Sequence, residues 1–179
     1  MPKISKPLER EALMDYAARA LSARAQSLNE LRNRLKKKAA STEDVEEVLR
    51  RLKEAGMVND RQFAGSFANW RKENQGFGKT RVVRDLMARR VAPAVAREAV
   101  DKAYAGADET AMVEDFLARK YRGKDLKALL QEEKHLASAF RKLRGAGFSA
   151  GVSIRVLKRY ASEADRLEEM DEPEPETTG

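Results

Sequence analysis

Leu31 and Leu35, Val82 and Leu86, and Ala139 and Leu143 occupy the same two helical positions three times over, at offsets of 51 and then 57 residues. Ala40, Val91 and Phe148 keep those offsets, and so do Val48-Leu49, Ala99-Val100 and Val156-Leu157. Residues four apart share one face of a helix, so each pair marks the inward side of a helix. Around each pair the order repeats: a helix, a short turn, a basic helix, a second turn and an apolar-faced helix. A single bundle would show similar spacing, but three matches in the same order favour repeats. Units of about 50 residues bury little apolar surface alone and gain stability by stacking on their neighbours. The expected fold is therefore all-α, an elongated tandem array of three three-helix repeats that offers a long face in place of a deep pocket.

Local signals place the boundaries. Residues 1–7 read as a flexible leader, 8–57 as the first repeat, 58–106 as the second and 107–161 as the third, with a charged insertion near 121–133. Residues 162–179 read as an acidic, disordered tail after a last helix that could extend to Met170. Ser27-Leu28-Asn29-Glu30 is a capping box, in which the serine oxygen accepts from the Glu30 amide while the glutamate reaches back. Ser41, Asn59 and Ser149 are further N-cap residues, Pro93 suits a first helical turn, and Gly56 suits a helix end. Inward positions are expected at Leu13, Tyr16, Ala17, Ala20 and Leu21, at Val45, Val48, Leu49 and Leu52, and at Val152, Val156, Leu157 and Tyr160.

Charge then indicates a partner. The chain carries a net +7, but residues 162–179 hold eight acidic residues and one basic, which leaves 35 basic and 21 acidic residues before them. A body at +14 with an acidic end suggests a polyanionic partner. The expected basic stripe comprises Arg32, Arg34, Lys36, Lys37 and Lys38 in the first repeat and Arg81, Arg84, Arg89 and Arg90 in the second. Arg141, Lys142, Arg144, Arg155, Lys158 and Arg159 complete it in the third. Such a stripe follows phosphates without reading bases, so weak, nonspecific binding of single- or double-stranded DNA is expected.

Other chemistry finds little support. The chain has no cysteine, which excludes disulfides and thiolate sites. His135 is the only histidine and has no partner triad. Glu114-Asp115 and Glu132-Glu133 are neighbours that point in different directions on a helix. Gly76-Phe77-Gly78-Lys79-Thr80 resembles a phosphate loop only superficially, because it lacks the preceding strand and the spacing. Phe63, Phe67 and Trp70 could stack on bases, but their helical spacing among alanines favours a core role. No apolar run approaches a bilayer span and the N-terminus lacks a signal-peptide core. The expectation is a cytoplasmic monomer with no cofactor, no metal, no membrane partner and no catalytic activity.

Gly56-Met57-Val58-Asn59-Asp60-Arg61-Gln62-Phe63-Ala64, followed by Gly78-Lys79-Thr80-Arg81-Val82-Val83-Arg84-Asp85-Leu86, resembles the RecX family, regulators of the RecA recombinase. Ser27 to Leu31, and Arg141 to Leu143 with Gly147 to Ser149, resemble the counterparts in the outer repeats. The resemblance covers about residues 10–160; Met57-Val58 replaces the usual leucine or isoleucine, and the acidic end and Lys124–Glu133 are outside the pattern. It implies a curved protein lying in the groove of the RecA–DNA filament. It also implies restraint of filament growth, ATP hydrolysis, strand exchange and co-protease action in DNA repair and the SOS response. A helix-turn-helix-like transcription factor is the alternative; it would concentrate its basic residues on one recognition helix.

Overall fold

A computed structural model describes residues 7–168. Ten α-helices are present among them: α1 (Arg10–Ala23), α2 (Leu28–Lys36), α3 (Thr42–Glu54), α4 (Asp60–Trp70), α5 (Lys79–Ala88), α6 (Pro93–Ala103), α7 (Glu109–Lys120), α8 (Leu126–Leu129), α9 (Glu133–Gly145) and α10 (Ala150–Leu157). A π-helical segment, Arg71–Gln75, continues α4, and a 3-10 helix, Ser162–Glu168, follows α10. Among the described residues the only β-type pairing is an isolated bridge between Leu8 and Ala39. The charged stretch after Tyr121 contributes the single-turn helix α8.

Packing divides the chain into two compact units. One runs up to Ala68 and takes in Val83–Ala103; the other takes in Asn69–Val82 and the chain from Tyr104 onward. The middle repeat is thus shared out by packing although its three helices follow one another in sequence. Its inward residues are small (Ala64, Ala68, Ala96) beside Val82, Leu86 and Val100, so it contributes little core volume.

In the first unit α1, α2 and α3 close on Leu13, Ala17, Leu31, Leu35, Val45, Val48, Leu49 and Leu52, with Val58 at the edge. The capping box at Ser27 forms as its sequence predicts: Ser27 Oγ accepts from the Glu30 amide at 3.1 Å and the Ser27 amide donates to Glu30 Oε2 at 3.1 Å. Ser41 accepts from the Asp44 amide at 3.0 Å to open α3, and Gly56, at φ 68°, ends it in the left-handed conformation that glycine adopts without steric cost.

The second unit is centred on Val113, Leu117, Leu130, Leu136, Phe140, Leu143, Phe148, Ile154, Val156 and Leu157. Two expectations change here. Ser149 precedes α10 but makes no side-chain cap; its amide and hydroxyl donate instead to Glu109 at 2.7 and 2.9 Å. The last helix stops at Leu157, and the segment read as the start of a disordered tail is ordered through Glu168: Ala164 and Leu167 are buried in this core. Their three-residue spacing matches the period of a 3-10 helix. The rest of the acidic stretch, 169–179, and residues 1–6 of the leader lie outside the described residues.

One contact recurs at the repeat offsets. Helices leave their last carbonyls without intrahelical donors. The Arg89 carbonyl, just past α5, accepts from Ser27 Oγ at 2.6 Å. The Ala146 carbonyl, 57 residues on and just past α9, accepts from the Gly78 amide at 2.8 Å. Ser27 and Gly78 are themselves 51 apart, so each donor stands at the N-terminus of the equivalent helix in the preceding repeat. Fifty-one residues before Arg89, the Lys38 carbonyl accepts from the Leu8 amide at 2.7 Å. Following residues keep the correspondence, since Arg90 (φ 64°) and Gly147 (φ 92°) are both left-handed. Val91 donates to Leu86 and Phe148 to Leu143, at 3.1 and 3.2 Å, closing the same helix-end motif.

The Gly78–Gly147 approach admits no side chain. A Cβ on Gly78 would stand 2.3 Å from the Gly147 carbonyl oxygen, and one on Gly147 would stand 2.3 Å from the Arg81 amide nitrogen.

Two stability measurements follow. Gly78→Ala and Ser27→Ala are each expected to lower unfolding free energy by about 1–3 kcal/mol, through overpacking and through loss of the cap and a buried donor; chemical denaturation measures both. Leu167→Ala is expected to lose about 2–4 kcal/mol in the same measurement, through the cavity left in the core.

Candidate partner-binding surfaces

The fifteen cations of the expected stripe separate into two groups. Eight are engaged within their own unit. Arg32 forks onto Glu46 at 3.0 and 3.1 Å, and Arg34 donates to the Tyr16 hydroxyl at 3.0 Å while lying over its ring. Arg89 pairs with Glu30 at 3.1 Å, its guanidinium 4.9 and 5.4 Å from the ring centres of Phe63 and Phe67. Arg81 lies over Phe77 at 5.1 Å and donates to the Gly145 carbonyl at 3.2 Å. Lys142 meets the Tyr121 hydroxyl at 3.3 Å, and Arg144 donates to the Phe148 carbonyl at 2.6 Å. Lys158 pairs with Asp165 and Arg159 with Glu114.

The other seven, Lys36, Lys37, Lys38, Arg84, Arg90, Arg141 and Arg155, have no ion pair or side-chain hydrogen bond among the described residues, and all but the half-buried Lys38 are exposed. Arg84 and Arg141 stand 57 apart in the same register, with Asn33 as the first-repeat counterpart. The lysine run spans the C-terminal end of α2, where positive charge complements the carbonyl end of a helix. Nothing in the local sequence distinguishes Arg84 from Arg89, because the carboxylate that holds Arg89 lies 59 residues away.

The aromatic stripe of α4 also departs from expectation. Ala64 and Ala68 are the residues fully buried on this helix. Phe63 and Phe67 are half-buried, ring centres 6.0 Å apart, beside Arg89. Trp70 is 50% exposed, so its core role does not hold: it is two residues beyond Ala68, about 200° round the helix from the buried face.

In the second unit, cations and aromatic rings interleave after Trp70. The Arg71 guanidinium lies 5.8 Å from the Trp70 ring centre and 5.5 Å from that of Phe77, and the Lys72 ammonium lies 5.7 Å from that of Tyr104. The Tyr104 hydroxyl donates to the Phe77 carbonyl at 2.6 Å. Burial pushes this phenol up to about 12, so it remains a proton donor throughout the neutral range. Beside it runs an open groove of about 670 Å³, lined by Lys72, Arg119 and Arg122 and by Glu73, Asp108 and Asp115. The groove's lining includes no histidine, serine or threonine, and among the described residues no three histidine or carboxylate groups converge to hold a metal.

The remaining motifs are structural. At Gly76–Thr80, the Gly78 and Thr80 amides that could face a phosphate donate instead to the carbonyls of Ala146 and Gly147. His135 faces Glu132 at 3.4 Å. No helix of the described residues is long and apolar enough to cross a membrane.

These features define a class: a tandem three-helix-repeat protein whose exposed chemistry is cationic and aromatic. A model described as the second three-helix domain of RecX matches residues 59–100. The regulatory protein RecX of Deinococcus radiodurans is 36% identical over 155 residues, covering 86% of this chain and 70% of the relative. That of Chlorobaculum tepidum is 31% identical over 165 residues, covering 91% and 98%. A crystal structure of RecX from Lactobacillus salivarius shares the fold with a TM-score of 0.64 at 16% identity, covering 84% of this chain and 95% of that one. The chain belongs to the RecX family of regulatory proteins.

The division of the cations predicts opposite behaviour for two arginines on α5 or just beyond its end. Arg89→Ala is expected to cost about 1–3 kcal/mol, through the missing ion pair and packing over two rings. Arg84→Ala is expected to remain within about 0.5 kcal/mol of the parent chain. Thermal or denaturant unfolding of the two variants measures the contrast.

Proposed function

We propose that the chain binds the RecA–DNA nucleoprotein filament and restrains it, lowering recombinase, ATPase and co-protease activity in DNA repair and the SOS response. The observation that carries this reading is membership of a family of regulatory proteins, at 36% identity over most of the chain. The charge distribution supports it: 35 basic against 21 acidic residues before Ser162, and exposed cations such as Arg84 and Arg141 that have no ion pair among the described residues.

The mechanism is one of binding, without a chemical step. Repeats coupled by backbone carbonyls hold their exposed cations at fixed separations within each unit, which suits a surface of regularly spaced subunits and phosphates. Contacts that bridge filament subunits oppose the subunit exchange and the movements that accompany ATP turnover. Contact with single- or double-stranded DNA is weak and nonspecific, resting on phosphate neutralisation. The chain acts as a monomer in the cytoplasm, and the 15-residue stripe narrows to the seven cations without an ion pair or side-chain hydrogen bond among the described residues.

Adding the chain to RecA on single-stranded DNA is expected to lower the ATPase rate at substoichiometric ratios. The rate remaining unchanged at excess protein would defeat the reading. A chain ending at Glu168 keeps the folded core and is the proper comparison for the acidic residues 169–179. Replacing Arg84 and Arg141 together by Gln should reduce the slope of log K against log salt for single-stranded DNA by about 0.7 for each phosphate that is no longer neutralised.

A further inference from the structure

We infer that the acidic segment 169–179 seats on the cations that α9 and α10 leave exposed, and so competes with a polyanionic partner for them. The competition deepens the nucleic-acid part of the proposed function and rests on it. Within the second unit, the 3-10 helix Ser162–Glu168 packs against α10 and α9, with Ala164 and Leu167 in the core. The chain therefore leaves Glu168 beside the two helices that carry Arg155 and Arg141. Both arginines are exposed and have no ion pair or side-chain hydrogen bond among the described residues. The acidic stretch already supplies one contact of this kind, since Asp165 pairs with Lys158 at the end of α10. Lys158 stands three residues beyond Arg155 with helical backbone, so the two share one side of the helix. Acidic side chains thus turn onto that side before residue 169 is reached.

Residues 169–179 contain Glu169, Asp171, Glu172, Glu174 and Glu176 and no basic residue, so the segment cannot pair its charges internally. An extended chain spans roughly 3.3–3.6 Å per residue, which gives these eleven residues a reach of about 36–40 Å. Helices α9 and α10, of 13 and 8 residues, are about 20 and 12 Å long, so every cation on both lies within that reach. A tethered segment is present at an effective concentration on the order of millimolar, enough to occupy sites that the same peptide in free solution leaves empty. Each exposed ion pair is weak, so a strand with many phosphates displaces the segment whereas an isolated phosphate does not. The segment thereby sets a threshold of charge density for the partner, and salt lowers it.

The full chain is compared with a full-length variant whose segment is neutral, carrying E169Q, D171N, E172Q, E174Q and E176Q together. In anisotropy measurements with labelled oligothymidylate at low salt, the neutral variant should bind about 3–10-fold tighter, and the gap should fall below about twofold at high salt. With Arg141→Gln and Arg155→Gln in both chains, neutralising the segment should change binding less than about twofold. Circular dichroism checks that all variants keep the helical content of the parent chain. The chain has no cysteine, so a spin label on Thr177→Cys reports the segment alone. It should broaden amide signals of α9 and α10 in the parent chain and far less in the neutral variant. Equal broadening in the two overturns the inference. So does an affinity gain that survives the loss of both arginines, which would assign the effect to long-range repulsion of the strand. If neither chain binds the oligonucleotide at low salt, the DNA-contact part of the proposed function fails and the competition fails with it, while the label still decides whether the segment seats on the arginines.

Discussion

A helix cannot satisfy its own last carbonyls, and in this protein the carbonyl just past the second helix of each repeat receives its donor from a segment that precedes it. Lys38 accepts from Leu8, Arg89 from Ser27 and Ala146 from Gly78. Each bond joins the end of one basic helix to an earlier part of the chain, so it ties the stacking of helices to backbone chemistry. The donor differs at each joint: an amide at the start of the first repeat, a hydroxyl from a capping serine, and an amide from a glycine turn. Side-chain identity is thus free to drift where the geometry is kept, which accounts for repeats recognisable by spacing and residue type with little sequence identity.

The same joints determine what the cations can do. Arg89 is drawn in because Ser27 brings the end of α5 against Glu30 and the Phe63–Phe67 pair. Arg81 is drawn in because the close Gly78–Gly147 approach sets its guanidinium against the Gly145 carbonyl and Phe77. Arginine serves these positions well, since its plane stacks on rings while its edge donates to carbonyls and carboxylates. Positive charge in this chain therefore divides into cations that hold repeats together and cations that stay exposed. A count of basic residues overstates the second.

Much of the architecture was legible in advance because its signals are local. The capping box at Ser27, the serine cap at Ser41, the glycine end at Gly56 and the apolar spacing of α3 each involve residues within one or two helical turns. The limits of the aromatic reading are equally physical. Phe63, Phe67 and Trp70 share a spacing that fits a buried stripe, but α4 packs through Ala64 and Ala68, where small side chains allow close backbone approach. Ser162–Glu168 was hidden by composition: Glu163 and Asp165 face solvent while Ala164 and Leu167 fill the core, and two apolar residues in seven give a weak signal.

The amino-acid order alone determined the helical class, the three-fold recurrence, the helix ends and the asymmetric charge, because each depends on backbone preference and on neighbours three or four residues apart. Tertiary structure decided which cations are engaged by other residues of the chain, that Trp70 stands in solvent, and that the chain stays ordered to Glu168. Those outcomes turn on which carboxylate, carbonyl or ring arrives from a distant part of the chain, as Glu30 reaches Arg89 across 59 residues. Helical periodicity states which face a residue lies on, but not what that face will meet.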